Sequence, residues 1–264
     1  MHEVQTESGP PEPMGRFELG VAIVACLGLF TMWFGGQESV FIWICRLFRD
    51  DLPQDDPEMA FFLLRTGPYY SLGSLWFWVL FCCLGYMGLP MLYLRRMGRR
   101  LGDYYFNPRG FWEHRNVYLG MCAVVLVLVG IVSFQPSFQE IYPFYTWCGR
   151  SWFDLLAWEA GYALQFVALE FFFRAFLLEG MRRSLGVGAV YCMLLPYCML
   201  HFQKTAAECL GSILAGLVLG LMAMRYRSIW GGILVHFTVA LSMDIASLIQ
   251  KGQFPPTGFF PDFG

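Results

Sequence analysis

The sequence predicts an all-α, polytopic integral membrane bundle of about seven transmembrane helices, and three observations carry that expectation. The 264 residues are 57% hydrophobic and only 14% charged, against about 45–50% apolar and about 25% charged in soluble domains. Seven apolar segments reach the roughly 17–25 residues that cross a bilayer as a helix. The ten-residue alternation that builds a membrane β-barrel does not occur.

The elements follow in order. Residues 1–16 form a polar, acidic, Pro-containing tail without the basic n-region of a cleavable signal, so the first span, 17–35, is expected in the mature protein. The run 39–48 ("SVFIWICRLF") is too short to cross and is expected at the interface. Spans 69–94 and 117–134 complete an N-terminal membrane region over 17–150. A core of four spans (152–178, 185–202, 207–224 and 228–249) occupies 151–250, and 251–264 is a C-terminal tail.

Lys and Arg concentrate in cytoplasmic loops. With the N-terminus inside, that side receives Arg16, Arg95, Arg96, Arg99, Arg100, Arg109, Arg115, Arg182, Arg183, Arg225 and Arg227, eleven in all. The opposite side receives six: Arg46, Arg49, Arg65, Arg150, Lys204 and Lys251. The expectation is therefore N-inside and C-outside, in a multi-pass protein of a bacterial inner membrane. The basic loop 95–115 serves as topology signal and interfacial anchor, with the lipid bilayer as its partner.

A net charge of −2 and the lack of a basic patch with interleaved aromatics exclude a nucleic-acid partner. Nine scattered cysteines give no C-x-x-C and no disulfide framework, although Cys45 and Cys148 both fall near the predicted outer surface and could pair. Phosphate loops, H-E-x-x-H and G-x-S-x-G are absent. Gly211, Gly216 and Gly220, with Ser212 and Ala215, read as a small-residue face for close helix packing.

Ionisable groups inside hydrocarbon are costly unless paired or wet, so they point to function. Away from span ends these are Glu159, Glu170, Arg174, His201, His236 and Asp244. Glu170 and Arg174, in "LEFFFRAF", are spaced i, i+4 with the acid first, which suits an ion pair and is compatible with a purely structural bridge. His201 closes an apolar run, where a histidine often only satisfies the fold. His236 lies inside "GGILVHFTVAL" with no obvious local partner. Glu170 and His236 fall at similar depth, roughly 13 Å from the cytoplasmic ends of their spans. A carboxylate and two imidazoles at one level suit water activation, with a carboxylate base and imidazole or guanidinium stabilising the oxyanion of an attacked amide. The same set could also hold Zn²⁺ as His₂Glu.

The order Glu170-Phe-Phe-Phe-Arg174, then Tyr197-Cys-Met-Leu-His201, then a Gly-rich segment ending at His236, resembles the CAAX protease and bacteriocin-processing (Abi) family of intramembrane glutamic proteases. That family's pattern is E-E-x-x-x-R, F-x-x-x-H and H-x-x-x-N or H-x-x-x-D. The resemblance covers about 150–250 and implies a helical bundle with a polar cavity, and an endopeptidase acting by glutamate-activated water on a lipidated, leader-bearing or otherwise membrane-associated peptide or protein. Carried over residue by residue, the catalytic set is Glu170, Arg174, His201 and His236, with no cofactor and no metal. Leu169 stands where the family's first Glu would be, Ala240 where its Asn or Asp would be, Ala175 replaces a common Gly and Tyr197 the usual Phe. The first two departures make a catalytically inactive relative, serving as a peptide-binding, immunity or scaffold protein, the alternative. Glu159, about 16 Å from Glu170 along its helix, and Asp244, about 12 Å from His236, are too distant to replace the missing groups.

Overall fold

The computed structural model describes residues 13–49, 51–53 and 55–262. Most of the expected N-terminal tail lies outside the described residues. Among the described residues there are ten α-helices and no strand. They are α1 (Arg16–Gly35), α2 (Glu38–Phe48), α3 (Pro57–Arg65), α4 (Tyr70–Arg96), α5 (Arg109–Val132), α6 (Pro136–Ile141), α7 (Trp152–Leu185), α8 (Gly188–Met199), α9 (Ala206–Tyr226) and α10 (Trp230–Gln250). Helices α1, α4, α5, α7, α9 and α10 are long and apolar enough to cross a membrane, six against the seven expected.

The difference lies in α8. Its 12 residues rise only about 18 Å, and the chain leaves the helix at Met199, just beyond Pro196. Residues 200–205 then form irregular backbone before Thr205 caps α9 by accepting a hydrogen bond from Glu208 N–H at 3.2 Å. Irregular backbone at membrane depth is tolerated where protein buries it or water reaches it. The seventh expected span is thus a short helix continued by turns, and His201 sits in the turns rather than on a continuous helix 185–202.

Helix α7 runs on to Leu185, past the expected end at 178. It starts sharply: Ser151 Oγ accepts from Asp154 N–H at 3.1 Å. Its segment Phe171–Leu178 is wound as π-helix and is buried on all sides, as expected for a helix apolar all round and central to a bundle. Helices α4 and α10 pack along it, and α1 crosses α4 at a pair of glycines. A Cβ on Gly28 would lie 2.5 Å from the Gly85 carbonyl oxygen, and a Cβ on Gly85 would lie 2.4 Å from that of Gly28. Only a glycine pair permits this approach. On α9, Gly216 and Gly220 do abut α8, where a Cβ would meet Leu194, Tyr197 or Met193 at 2.7 to 2.9 Å; Gly211 faces open space and takes no part in that contact.

The two ends of the bundle are separately tied, and their membership follows the two groups into which Lys and Arg fall. At one end, Tyr93 donates to the Phe17 carbonyl (2.9 Å), Trp230 Nε1–H donates to the Phe106 carbonyl (2.9 Å), and Glu179 binds Arg182 and the hydroxyl of Tyr105. Burial, reinforced by the Glu179 carboxylate, holds the Tyr105 hydroxyl well above its ordinary range. At the other end, Tyr142 donates to Glu208 (2.8 Å), Lys251 donates to the Tyr142 carbonyl (2.6 Å), Tyr70 donates to Glu38 (2.7 Å) and Trp152 N–H donates to the Gly258 carbonyl (3.0 Å). Helix α2 buries no residue and leaves Phe48 exposed, in keeping with an interfacial position. Cys45 and Cys148 are free and belong to different apolar clusters, so the conceivable disulfide is not formed.

Candidate active site

Glu170 is the last α-helical residue of α7 before the π-helical stretch that carries Arg174. Both side chains are sealed, at 1% and 0% exposure. Arg174 Nη1 lies 3.1 Å from Glu170 Oε1, but off the line of an aligned hydrogen bond. None of the three guanidinium nitrogens has a protein acceptor among the described residues. The charge is met instead by the carboxylate field and by the face of Tyr197, 4.4 Å from guanidinium carbon to ring centroid.

His236 completes the contact from α10. Its Nδ1 lies 2.9 Å from the same Oε1, as an ion-pair contact outside hydrogen-bond alignment, and 3.1 Å from the Gly232 carbonyl oxygen, which accepts its hydrogen bond. Both partners are acceptors, so Nδ1 carries the ring proton and Nε2 presents a lone pair. That lone pair faces the Tyr197 hydroxyl at 2.7 Å. Phe166 stacks on the imidazole at 5.5 Å between centroids. Gly232, one turn before His236, makes room for the acid: a Cβ there would stand 2.2 Å from Glu170 Oε2.

His201 enters from the turn after α8. Its Nδ1 lies 3.0 Å from the Tyr197 carbonyl oxygen, so Nδ1–H donates and Nε2 is left as a free acceptor. The ring is 5.1 Å from the Tyr197 ring, and the His236 ring is 6.1 Å from that tyrosine by centroid. Glu170, Arg174, His201 and His236 are thus gathered around one tyrosine. Leu169 and Ala240 are both buried and bring no polar atom.

Tyr197 is the residue that sequence reasoning passed over as a mild replacement of Phe. The available signal was that a buried tyrosine hydroxyl seeks a hydrogen-bond partner, and this one lies four residues before a histidine. Glu159 and Asp244 do not approach the cluster but meet each other elsewhere. Two cavities of about 360 Å³ are at the other end, one lined by Tyr69, Leu72, Gly73, Trp76 and Phe153, the other by residues including Arg150 and Gln253. Aromatic rings close the site itself, leaving the His236 side chain 13% exposed and His201 half-buried.

Residues 150–242 match the family model described as type II CAAX prenyl endopeptidase Rce1-like. No curated protein and no solved structure gives a match. The matched stretch runs from just before α7 into α10 and contains Glu170, Arg174, Tyr197, His201 and His236, as well as Leu169 and Ala240. Over residues 150–242 this multi-pass membrane chain is therefore similar to the Rce1-like family of type II CAAX prenyl endopeptidases, in agreement with the resemblance of the ordered motifs.

Proposed function

We propose that the chain is an intramembrane endopeptidase, working in a bacterial inner membrane, that hydrolyses a peptide bond of a lipidated or leader-bearing substrate. The observation that carries this reading is the run of contacts Glu170 Oε1 to His236 Nδ1 at 2.9 Å and His236 Nε2 to Tyr197 hydroxyl at 2.7 Å. A carboxylate that orients an imidazole and compensates its charge turns the opposite nitrogen into a general base.

Water bound between the Tyr197 oxygen and the free Nε2 of His201 gives a proton to Tyr197 as the tyrosine's own proton passes to His236. The hydroxide adds to the amide carbonyl carbon. The imidazolium, balanced by Glu170, and the Arg174 guanidinium stabilise the negative charge on the carbonyl oxygen. Collapse of the adduct breaks the C–N bond, and the proton held on His236 returns through Tyr197 to the leaving amine. Glu170 thus acts through His236 instead of touching the water, and Arg174 holds Glu170 in place. The membrane region 17–150 and the core 151–250 form one bundle in which the core carries the chemistry.

One observation favours a second reading. Leu169 and Ala240 are buried and apolar where the family pattern has an acid and an amide or acid, which suits a chain that binds a peptide without cutting it. A panel of membrane-anchored peptides, prenylated near the C-terminus or bearing an N-terminal leader, incubated with the full chain in liposomes made in H₂¹⁸O, separates the two. Hydrolysis places one ¹⁸O in the new C-terminal carboxylate. Saturable binding with no ¹⁸O in any product establishes the binding protein and overturns the protease.

A further inference from the structure

A second polar cluster, unrelated to the first, lies on the same two long helices. Cys148, from the segment before α7, Glu159 on α7 and Asp244 on α10 each bring one ligand atom within 4.8 Å of the others, and all three are buried. Asp244 is fixed by two donors: Phe144 N–H to Oδ1 and Trp158 Nε1–H to Oδ2, both at 2.9 Å. Such outer hydrogen bonds are what orient a metal-binding carboxylate. Glu159 is not fixed. It is 5% exposed, it points at the other two, and neither of its oxygens has a hydrogen-bond partner.

Two buried carboxylates at this separation require a proton or a cation between them. The third member points to the cation. A proton shared by two acids has no use for a thiol, whereas a buried sulfur beside two carboxylates is a mixed donor set. Mg²⁺ and Ca²⁺ take oxygen ligands, while Zn²⁺ accepts thiolate and carboxylate together. Bonds of about 2.3 Å to sulfur and about 2.0–2.2 Å to oxygen draw tetrahedral ligands to roughly 3.5 Å apart. From at most 4.8 Å the closure is about 1 Å, which rotation of the unanchored Glu159 carboxylate and of the Cys148 thiol can supply.

We propose that Cys148, Glu159 and Asp244 form a Zn²⁺ site, with a water as the fourth ligand, that ties the segment before α7 to α7 and α10. It lies about 16 Å from Glu170 along α7 and about 12 Å from His236 along α10, so it stands independently of the hydrolytic reading. It revises the expectation of a metal-free chain without placing metal at Glu170. Zinc takes cysteine as the thiolate. Metal uptake therefore displaces the thiol proton to solvent and weakens as pH falls.

The test uses the full-length chain in detergent micelles, stripped with chelator and dialysed against equimolar Zn²⁺ or Co²⁺. The expected result is one metal per chain and, with Co²⁺, a thiolate-to-cobalt charge-transfer band. Cys148→Ser should abolish the band. Glu159→Gln, whose amide can hydrogen-bond Asp244 and keep the fold, should weaken binding at least tenfold. A chain carrying both His201→Ala and His236→Ala should keep metal and band. A folded wild-type chain that retains no metal overturns the proposal and leaves Glu159 and Asp244 sharing a proton. Retention that survives both Cys148→Ser and Glu159→Gln, or that is lost in the double histidine variant, overturns it as well by placing the metal elsewhere.

Discussion

Replacing Tyr197 by Phe removes one oxygen atom and little else, and so isolates the hydroxyl from its ring. The ring keeps Arg174 over its face at 4.4 Å and Phe173 against its edge at 5.4 Å. Only the 2.7 Å contact with His236 Nε2 is lost. A single neutral hydrogen bond contributes about 0.5–1.5 kcal/mol to stability, so the variant should unfold only slightly below the parent. Its effect on turnover should be much larger. Removing a group that moves a proton in the transition state slows a reaction by about 10²–10⁴-fold, or ~3–5 kcal/mol of barrier. The assay is cleavage of a fluorescence-quenched, membrane-anchored peptide by the chain in nanodiscs, with thermal unfolding measured on the same samples. A Tyr197→Phe chain cleaving within threefold of the parent rate refutes the proton relay, because the family's usual Phe would then serve equally well here.

Three further outcomes follow from the same geometry. Glu170→Gln should abolish cleavage and also cost stability, about 3–5 kcal/mol, because Arg174 is fully buried and Glu170 is the carboxylate it pairs with; a normally stable variant in a denaturant titration would contradict the assigned pairing. Gly232→Ala should cut turnover sharply, since the new Cβ would stand 2.2 Å from Glu170 Oε2 and must push the acid off His236; undiminished kcat would show that this contact is not needed. The double variant Leu169→Glu with Tyr197→Phe should regain cleavage relative to Tyr197→Phe alone, because it restores both family residues; no recovery in a well-folded chain would argue that the hydroxyl does not substitute for the missing acid.

Much of this was legible in the sequence, and the misses have physical reasons. Span length and hydropathy locate the long helices because the bilayer sets both. The i, i+4 spacing of Glu170 and Arg174 anticipates their 3.1 Å contact even though the backbone there is π-wound. Depth counting paired Glu170 with His236, and they touch. The place of His201 was not legible, because Pro196 and the early end of α8 at Met199 replace helix by turns that no hydropathy window resolves. The role of Tyr197 was hidden because a hydroxyl on an aromatic ring reads as apolar until its partner from a remote helix is known. Glu159 and Asp244 were weighed only as substitutes for the missing family residues. That they meet each other and Cys148 depends on how α7 packs on α10 and where the preceding loop folds back, and a linear spacing carries neither.

The claim that Glu170, His236 and Tyr197 work as one unit is tested most directly by a double-mutant cycle on kcat/KM in the nanodisc assay. Groups that act together give strongly non-additive losses, so Tyr197→Phe introduced into a His236→Gln chain should slow it by less than threefold beyond His236→Gln alone. If the two losses multiply in full, or if His236→Gln retains the parent rate, the hydroxyl and the imidazole do not share a proton path and the account of this site is wrong.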